Sequence, residues 1–306
     1  MLEAENIVHG YGDRFVLTVG HWRLAPKEVV ALVGPSGSGK STFLKVLGAH
    51  LTPEEGEVRF HSLRVPPPSE TLLPGHKHIK IVRQDFGQTP FRKVRENLMH
   101  FVRTDSDAAE ARQVKGWLQR MGLLELAEEQ TQNLSGGQLQ RLAVAQALVS
   151  KPKVLLLDEP FSHLDPYTKR VLLDDLRVLQ ESTGIAVVVV VHDVRDALEW
   201  ATRLDVMHDG SIIASATPHQ LYQSPTRREV ARLFGRVNEL SVSSATALFG
   251  PSFPGTVVEG MVYIYPENVR ASDFKIPVEK VREEYHGATS TIVYHTPEGL
   301  VYVSKG

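Results

Sequence analysis

A glycine-rich stretch between residues 34 and 42 has the residue types and spacing of a phosphate-binding loop. It follows the pattern G-x-x-x-x-G-K-[ST], with the residues Gly34, Pro35, Ser36, Gly37, Ser38, Gly39, Lys40, Ser41 and Thr42. Glycines let backbone N–H groups turn inward around phosphate oxygens, and a helix N-terminus adds partial positive charge. In this chemistry Lys40 reaches the β- and γ-phosphates and Ser41 ligates Mg²⁺.

The segments on either side of this loop decide whether it binds phosphate or is a plain glycine-rich turn. The apolar run 29–33 before it predicts a buried strand, and residues 43–47 after it continue as a helix. Strand, loop and helix in this order are the setting that the motif requires. The flanking pattern therefore favours the phosphate site.

Two adjacent carboxylates, Asp158 and Glu159, follow the apolar run 154–157. They emerge at the carboxyl end of a buried strand, which is where ligands bind in open α/β sheets. Asp158 suits water-mediated binding of Mg²⁺, and Glu159 suits polarising an attacking water. Without the loop at 34–42, Asp-Glu-Pro would more often indicate a turn that ends a strand.

Two further polar elements fit an anion site less specifically. Ser135, Gly136, Gly137 and Gln138 precede a helical run, so a hydroxyl, flexible glycine amides and a helix N-terminus occur together. A linker or an ordinary helix cap explains Ser-Gly-Gly equally well. His192 is the first polar side chain after the apolar run 187–191, and a lone histidine there is usually structural. This strand is expected to lie beside the nucleotide site, which favours a functional role.

The elements that must position these residues can be predicted from local patterns. Turn signals within residues 1–33 suggest β-hairpins, and the texture from about 94 to 149 is helical. The continuous apolar runs at 154–157 and 186–191 are typical of a parallel sheet covered on both faces. An amphipathic helix is predicted between them, over 169–181. After about residue 234, short strand patterns alternate with turn signals, which predicts a small separate all-β domain.

Composition narrows the class of protein. With 306 residues the chain is long enough for two domains, and 42% hydrophobic with 23% charged residues is ordinary for a soluble globular protein. A net charge of −2 gives no basic footprint for a nucleic-acid binder. Cysteine is absent, the apolar run 185–191 is too short to span a bilayer, and the N-terminus lacks a signal-peptide pattern. We therefore expect a soluble intracellular chain that binds no nucleic acid.

Together these motifs resemble those of the ATPase subunits of ATP-binding cassette (ABC) transporters. The run 134–138 combined with the loop at 34–42 makes the resemblance specific. It implies an α/β P-loop NTPase fold, with a RecA-like core, a β-subdomain and a helical subdomain inserted at about 86–148. It further implies a nucleotide-binding domain over residues 1–235 that uses ATP and Mg²⁺.

The resemblance also implies a role for each matching residue. Tyr11 would stack on adenine, and Asp165 would cross a dimer interface. Gln84 would sense Mg²⁺ and the γ-phosphate, so it joins Ser41 and Asp158 as a residue of the metal site. The γ-phosphate held by the opposite subunit would be bound by Ser135, Gly136, Gly137 and Gln138. Three residues would be catalytic, with the histidine in contact with the γ-phosphate: Lys40, Glu159 and His192.

A second resemblance concerns the C-terminal part of the chain. Residues 216–225 look like the run that follows the core in importer ATPases of the sugar, polyamine, iron and oxyanion type. Those proteins carry a C-terminal β domain, and residues 265–270 and 284–287 look like its motifs. This implies a TOBE-like β domain over residues 236–306. The tail is short for such importers.

The resemblance implies a cytoplasmic ATP-hydrolysing subunit held at the inner face of the membrane by separate transmembrane permease subunits. It would act as a homodimer or an ABC heterodimer with two ATP molecules sandwiched between subunits, and it would serve a solute importer that has a solute-binding protein. An exporter ATPase is one alternative, but it leaves the region after residue 235 unexplained. A non-transport ABC protein of translation or DNA repair is the other, and those usually carry two cassettes or a long insertion.

A basic cluster is the one candidate for coupling to a membrane partner. Arg92, Lys93, Arg95 and Arg103 follow Gln84 at the start of the helical region. Charge runs usually form a solvated face, which is the simpler interpretation. The alternative is that this region docks a cytoplasmic helix of the permease.

Overall fold

The computed structural model describes residues 1–12, 16–83, 89–102, 106–162 and 164–305. It divides into two compact units, Met1–Ser215 and Ala216–Gly306. The division precedes the predicted boundary at 235/236, because Ala231 packs against Val258 and Tyr263 and accepts a 2.9 Å hydrogen bond from the Tyr265 hydroxyl. The assignment of 1–235 and 236–306 to separate family domains stays a prediction.

The first unit contains two sheets and the helices that cover them. Its strands are β1 (Leu2–Gly10), β2 (Val16–Leu24), β3 (Val29–Val33), β4 (Glu55–Phe60), β5 (Leu63–Arg64), β6 (Ile79–Val82), β7 (Val154–Asp158), β8 (Ala186–Val190), β9 (Arg203–His208) and β10 (Ser211–Ala216). Its helices are α1 (Lys40–Leu47), α2 (Val94–Met99), α3 (Asp107–Arg120), α4 (Gly136–Val149), α5 (Pro166–Thr183) and α6 (Arg195–Leu198).

The larger sheet confirms the predicted parallel architecture. Its strand order is β10-β9-β3-β8-β7-β6, and the pairs β3/β8, β3/β9, β7/β8 and β6/β7 are parallel. Every residue of β3, β7 and β8 is buried, which explains their unbroken apolar sequences. Parallel pairing brings the carboxyl ends of these three strands to one edge of the sheet, where the candidate site lies.

The smaller sheet is antiparallel, with the order β2-β1-β4-β5, and confirms the predicted N-terminal hairpin. Its apolar face shares one core with the parallel sheet and α1, and Trp22 packs edge-on against Phe43 at 5.4 Å between ring centroids. The phosphate loop helix is thereby held between the two sheets.

Helices α2, α3 and α4 confirm the helical texture predicted for residues 94–149. Ser106 caps α3 by accepting a 3.3 Å hydrogen bond from the Ala109 amide, and Val114, Leu118 and Met121 are buried on one face as predicted. Within the described ranges, we find no helix that combines the length and apolar character needed to cross a bilayer.

A buried carboxylate, Asp205, ties the two sheets of the first unit together. It is 1% exposed and accepts hydrogen bonds from Trp22 Nε1 at 2.6 Å, Arg203 Nε at 3.0 Å and Ser215 Oγ at 2.6 Å. Arg203 also pairs with Glu28 at 2.7 Å. The network joins β2 of the smaller sheet to β9 and β10 of the larger one.

We expect Asp205→Ala to lower the free energy of unfolding by about 3–5 kcal/mol, because the buried Trp22 indole N–H and the partly buried Arg203 guanidinium would lose their shared acceptor. Urea denaturation of the full-length protein measures the change. Asp174→Ala is the matched control: its carboxylate is exposed and pairs with Arg170 at 3.4 Å, so the loss should stay below about 0.5 kcal/mol. Similar small losses in both variants would contradict a stabilising network.

The second unit contains two three-stranded antiparallel sheets, which confirm the predicted C-terminal β structure. Their orders are β11-β13-β12 and β14-β15-β16, formed by β11 (Asn238–Ser241), β12 (Thr256–Val258), β13 (Met261–Ile264), β14 (Glu279–Tyr285), β15 (Ser290–Thr296) and β16 (Gly299–Lys305). Three helices accompany them, α7 (Pro218–Gln223), α8 (Arg228–Leu233) and α9 (Val242–Phe249).

Helix α9 was not predicted from the sequence. Four of its eight residues, VSSATALF, are serine, threonine or valine, which are indifferent helix formers. Ser241 caps it by accepting a 3.0 Å hydrogen bond from the Ser244 amide, and Ala245, Leu248 and Phe249 are buried against the sheets. Capping and tertiary packing, rather than propensity, therefore account for the helix.

Candidate active site

The glycine-rich loop connects the end of β3 to the first residue of α1. Gly34 has φ 142°, and a Cβ there would lie 2.1 Å from the Met207 carbonyl oxygen, so only glycine fits. Gly39 precedes the helix with φ 100° and makes no side-chain cap. No side-chain cap therefore occupies the first N–H groups of α1, which can donate to an anion bound in the loop.

Lys40 folds back across the loop. Its side chain is buried, with 6% exposure, and Nζ donates to the carbonyl oxygens of Gly34 at 2.9 Å and Pro35 at 2.8 Å. Burial lowers the pKa of Lys40, and the nearby charges of Glu159 and Asp158 oppose this shift. The ammonium group therefore lies in the field of both predicted carboxylates.

Ser41 and Asp158 meet at the carboxyl end of β7. The Ser41 hydroxyl donates to Asp158 Oδ1 at 2.7 Å, although 117 residues separate them in the sequence. A hydroxyl and a carboxylate are oxygen ligands of the kind that Mg²⁺ prefers, and Mg²⁺ usually takes only one or two protein carboxylates beside phosphates and water. These two residues fit the predicted ion. Gln84, the third predicted residue of the metal site, lies outside the described residues.

Glu159 has a left-handed backbone with φ 49°, an uncommon conformation for a residue other than glycine. Its amide donates to the Val190 carbonyl at 3.2 Å, and its carbonyl accepts from Ser162 Oγ at 2.8 Å. The side chain lines a cleft of about 390 Å³ together with Lys40 and Ser41. Backbone contacts from β8 and the following turn thus aim Glu159 at the phosphate loop.

Tyr11 lies at the same cleft, as the predicted adenine contact requires. Its ring is exposed and makes an edge-on contact with His9 at 4.9 Å between centroids. His192 follows β8 and is exposed; it lines an adjoining cleft of about 190 Å³ that Glu159 also lines. The structure therefore brings Tyr11, Lys40, Glu159 and His192 to one edge of the sheet.

Ser135 and Gln138 form a reciprocal helix cap at the start of α4. Ser135 Oγ accepts from the Gln138 amide at 3.3 Å, and Gln138 Oε1 accepts from the Ser135 amide at 2.8 Å. A Cβ at Gly137 would lie 2.8 Å from Thr168 Cγ2 of α5, so glycine allows the two helices to approach. None of residues 135–138 is among the described residues that line the 390 Å³ cleft. Within one chain, this motif and the phosphate loop are not brought together.

Asp165 caps α5 and is exposed. Its Oδ1 accepts from the amides of Tyr167 and Thr168, both at 3.0 Å. Hydrogen bonds from Thr168 hold the pKa of Asp165 below its usual value. The carboxylate is thus kept charged at the surface beside the capping motif of α4.

Comparison with known proteins identifies the family. The family model described as ABC transporter matches residues 17–162. The spermidine/putrescine import ATP-binding protein PotA of Mycoplasma mycoides subsp. mycoides is 32% identical, over 92% of this chain and 80% of that protein. The chain belongs to the ABC transporter family. The arginine transport ATP-binding protein ArtM of Bacillus subtilis is 35% identical, over 74% of this chain and 95% of its own length.

A solved ABC cassette confirms the predicted fold class. A dimeric structure of the ATP-binding cassette MJ0796, in a post-hydrolysis state bound to ADP and Pi, has a TM-score of 0.63 and 28% identity. The match covers 71% of this chain and 98% of that one. The protein is an ATPase of the ABC transporter family with additional C-terminal antiparallel sheets.

One ion pair beside the candidate site was not predicted from the sequence. Lys169 of α5 lines the cleft shared by Glu159 and His192 and pairs with Asp196 of α6. A signal was available, because Lys169 lies one helical turn after Asp165 and Asp196 lies four residues after His192. A cation and an anion that each lie four residues after a candidate site residue suggest that Lys169 contacts Asp196.

Proposed function

We propose that this chain is the ATP-hydrolysing subunit of a solute importer, acting as a dimer coupled to separate transmembrane permease subunits. The observation that carries the proposal is the cleft in which Glu159 lies beside Lys40 and Ser41 of the phosphate loop. A carboxylate there faces the position that an attacking water would take at a bound γ-phosphate.

The side chains of the cleft divide the chemistry of hydrolysis between them. Glu159 accepts a hydrogen bond from the attacking water and takes its proton as the water oxygen bonds to the γ-phosphorus. The bond from the γ-phosphorus to the β-phosphate oxygen breaks in the same step, so that ADP leaves and phosphate is formed. Lys40 exchanges its carbonyl partners for phosphate oxygens and offsets their charge, while Tyr11 stacks on adenine. Ser41 and Asp158 would hold Mg²⁺, which when bound neutralises charge on the β- and γ-phosphates. His192, which lines a cleft together with Glu159, donates a hydrogen bond to the γ-phosphate.

A second copy of the chain completes each site in this proposal. Ser135 is exposed at the N-terminus of α4 and lies outside the cleft that the phosphate loop of its own chain forms. The glycine amides beside it suit the γ-phosphate held by another subunit, and exposed Asp165 suits a contact across the interface. The dimeric structure of the related cassette MJ0796 supports this arrangement.

The direction of transport is proposed from the relatives and the C-terminal sheets. PotA is described as an import ATP-binding protein. The TOBE-like domain predicted for residues 236–306 would be of the importer type, and the two C-terminal antiparallel sheets support that prediction. Import adds a solute-binding protein to the expected partners and puts the chain at the inner face of the membrane. The exporter alternative leaves the region after residue 235 unexplained. The non-transport alternative fits less well because those proteins usually carry two cassettes or a long insertion, and this sequence has one phosphate loop.

A groove of about 950 Å³ beside β6 is the proposed docking place for the permease. It is lined by the cations Lys77, Lys80 and Lys151 and by exposed apolar side chains such as Phe101, with no acidic residue among the described residues that line it. These features suit a cytoplasmic helix with acidic and apolar side chains.

The basic cluster proposed earlier for docking suits a permease less well than this groove. Lys93 and Arg95 both contact the Glu128 carboxylate at 2.7 Å, which neutralises part of the cluster. Arg103 lies outside the described residues. The groove cations therefore replace the cluster as the docking candidate.

Transport in vesicles tests the proposal. With the chain and its permease subunits reconstituted so that the ATPase faces outward, an importer should use external ATP to release putrescine, spermidine or arginine from the lumen. These solutes are chosen because they are the ones for which PotA and ArtM are described. ATP-driven movement into the lumen would instead make the chain an exporter ATPase.

Charge reversal in the groove should abolish transport in the same assay while ATP hydrolysis by the isolated chain continues. We expect Lys77→Glu with Lys151→Glu to reduce permease co-purification and solute release to less than about a tenth, because like charges then face the acidic helix. Basal ATPase activity of the isolated chain should change less than about twofold, since neither lysine touches the nucleotide cleft. Arg112→Glu with Lys115→Glu on exposed positions of α3 is the matched control. Equal transport by both double variants would exclude the groove as the docking site.

A further inference from the structure

An ion pair joins α5 to α6 at the cleft that holds Glu159 and His192. Lys169 Nζ contacts Asp196 Oδ1, and both residues line that cleft. The Lys169 side chain is 31% exposed and that of Asp196 is 12% exposed. Partial burial reduces screening by solvent, so this contact constrains the two helices more than an ordinary surface pair does.

Each partner of the pair lies in the turn that follows a residue of the proposed site. Lys169 lies one turn into α5, where its amide donates to the Asp165 carbonyl at 2.9 Å. Asp196 lies in the short helix that follows His192, and its amide donates to the Asp193 carbonyl at 3.1 Å. The Asp193 carboxylate caps the same turn by accepting from the Arg195 amide at 3.0 Å. The pair thus links the turn that presents Asp165 to the turn that presents His192.

We infer that Lys169 is a positioning residue, which holds His192 at the γ-phosphate side of Glu159 through its ion pair with Asp196. The inference rests on the proposed function, because it takes the hydrolytic roles of Glu159 and His192 from there. Its consequence is that displacement of α5 at Asp165, the proposed contact to the second subunit, moves His192 in the same chain. A dimer contact would then reach the hydrolysis site through this ion pair.

The neighbouring residue supplies a matched control. Arg170 contacts Glu199 at 2.7 Å, so it also joins α5 to the segment after α6. Its side chain is 56% exposed and that of Glu199 is 53% exposed, and neither residue is among those that line the cleft of His192. A solvent-screened pair of this kind contributes little to the geometry of the site.

Steady-state ATP hydrolysis by the full-length protein measures the effect. Lys169→Met keeps the length of the side chain without its charge, and we expect kcat to fall by roughly tenfold while the KM for ATP stays within about twofold. Arg170→Met should lower kcat less than about twofold. Exchanging the charges in the double variant Lys169→Asp, Asp196→Lys should restore most of the lost kcat, because the exchange re-forms the ion pair.

A double-mutant cycle with His192→Ala decides whether Lys169 acts through His192. If it does, Lys169→Met should cause no further loss of kcat in the His192→Ala background. A full additional loss there, or no loss from Lys169→Met in the wild type, overturns the inference and leaves the proposed function intact. An unchanged kcat in His192→Ala alone instead removes the proposed role of His192, and the inference with it. If thermal melting shows that Lys169→Met is unfolded, Asp196→Asn takes its place in the cycle, with the same expected results.

Discussion

Replacement of Glu159 by glutamine is expected to lower ATP hydrolysis by roughly a hundredfold or more, as the removal of a general base does. The amide keeps the size of the side chain but cannot take a proton from the attacking water. ATP binding should persist, because Lys40 and the loop glycines that hold the phosphates are unchanged. The left-handed backbone of residue 159 should also persist, since its amide and carbonyl are held by Val190 and Ser162.

Two measurements on the Glu159→Gln variant separate lost chemistry from lost binding. Phosphate release should fall while the dissociation constant for ATP stays near that of the wild type, and gel filtration with ATP should show a stable dimer. Glu181→Gln is a control of the same chemical change, on an exposed glutamate of α5 that pairs with Arg177 at 3.4 Å. Near-normal turnover by Glu159→Gln would exclude the carboxylate as the base.

The part of the site that could be predicted from sequence is the part encoded by contiguous residues. The glycines, the lysine and the start of the helix all lie within the nine residues 34–42, so the sequence pattern alone was sufficient to predict the phosphate-binding loop. The pair Asp158 and Glu159 was predictable because an unbroken apolar strand ends there. Parallel pairing of β3 with β8 and of β8 with β7 puts the loop and Asp158 at the same edge of the sheet. There the Ser41 hydroxyl donates to Asp158 Oδ1 at 2.7 Å.

The contacts that were not predicted depend on residues far apart in the sequence. The Met207 carbonyl oxygen leaves no room for a side chain at residue 34. Asp205 accepts hydrogen bonds from Trp22 and from Ser215, which are far apart in the sequence. No local pattern reports a steric limit or a buried network set by distant strands. The sequence spacing of Lys169 and Asp196 only weakly indicates their contact, because the contact depends on how α5 and α6 pack. Tertiary packing likewise explains why α9 forms although several of its residues have low helix propensity.

Substitution of Ser135 by arginine tests whether two chains share each site. We expect hydrolysis to be lost, because a long side chain at the N-terminus of α4 would fill the space left for the partner's γ-phosphate. ATP affinity of the monomer should stay nearly intact, since Ser135 does not line the cleft of its own chain. The variant also loses a helix cap, which costs about 1 kcal/mol. Ser106→Arg removes the comparable cap of α3 and should leave hydrolysis unchanged.

Mixing the Ser135→Arg protein with an inactive Lys40→Ala protein should restore activity. In a mixed dimer the intact loop of one chain faces the intact Ser135 of the other, so one of the two sites contains neither lesion. Random pairing makes half of the dimers mixed, which sets the recovered rate at no more than about a quarter of wild type. Recovery should rise with the fraction of mixed dimers, counted by two affinity tags. Verified mixed dimers without any recovered hydrolysis would mean that Ser135 does not complete the site of a second chain, and that its capping of α4 is its whole role.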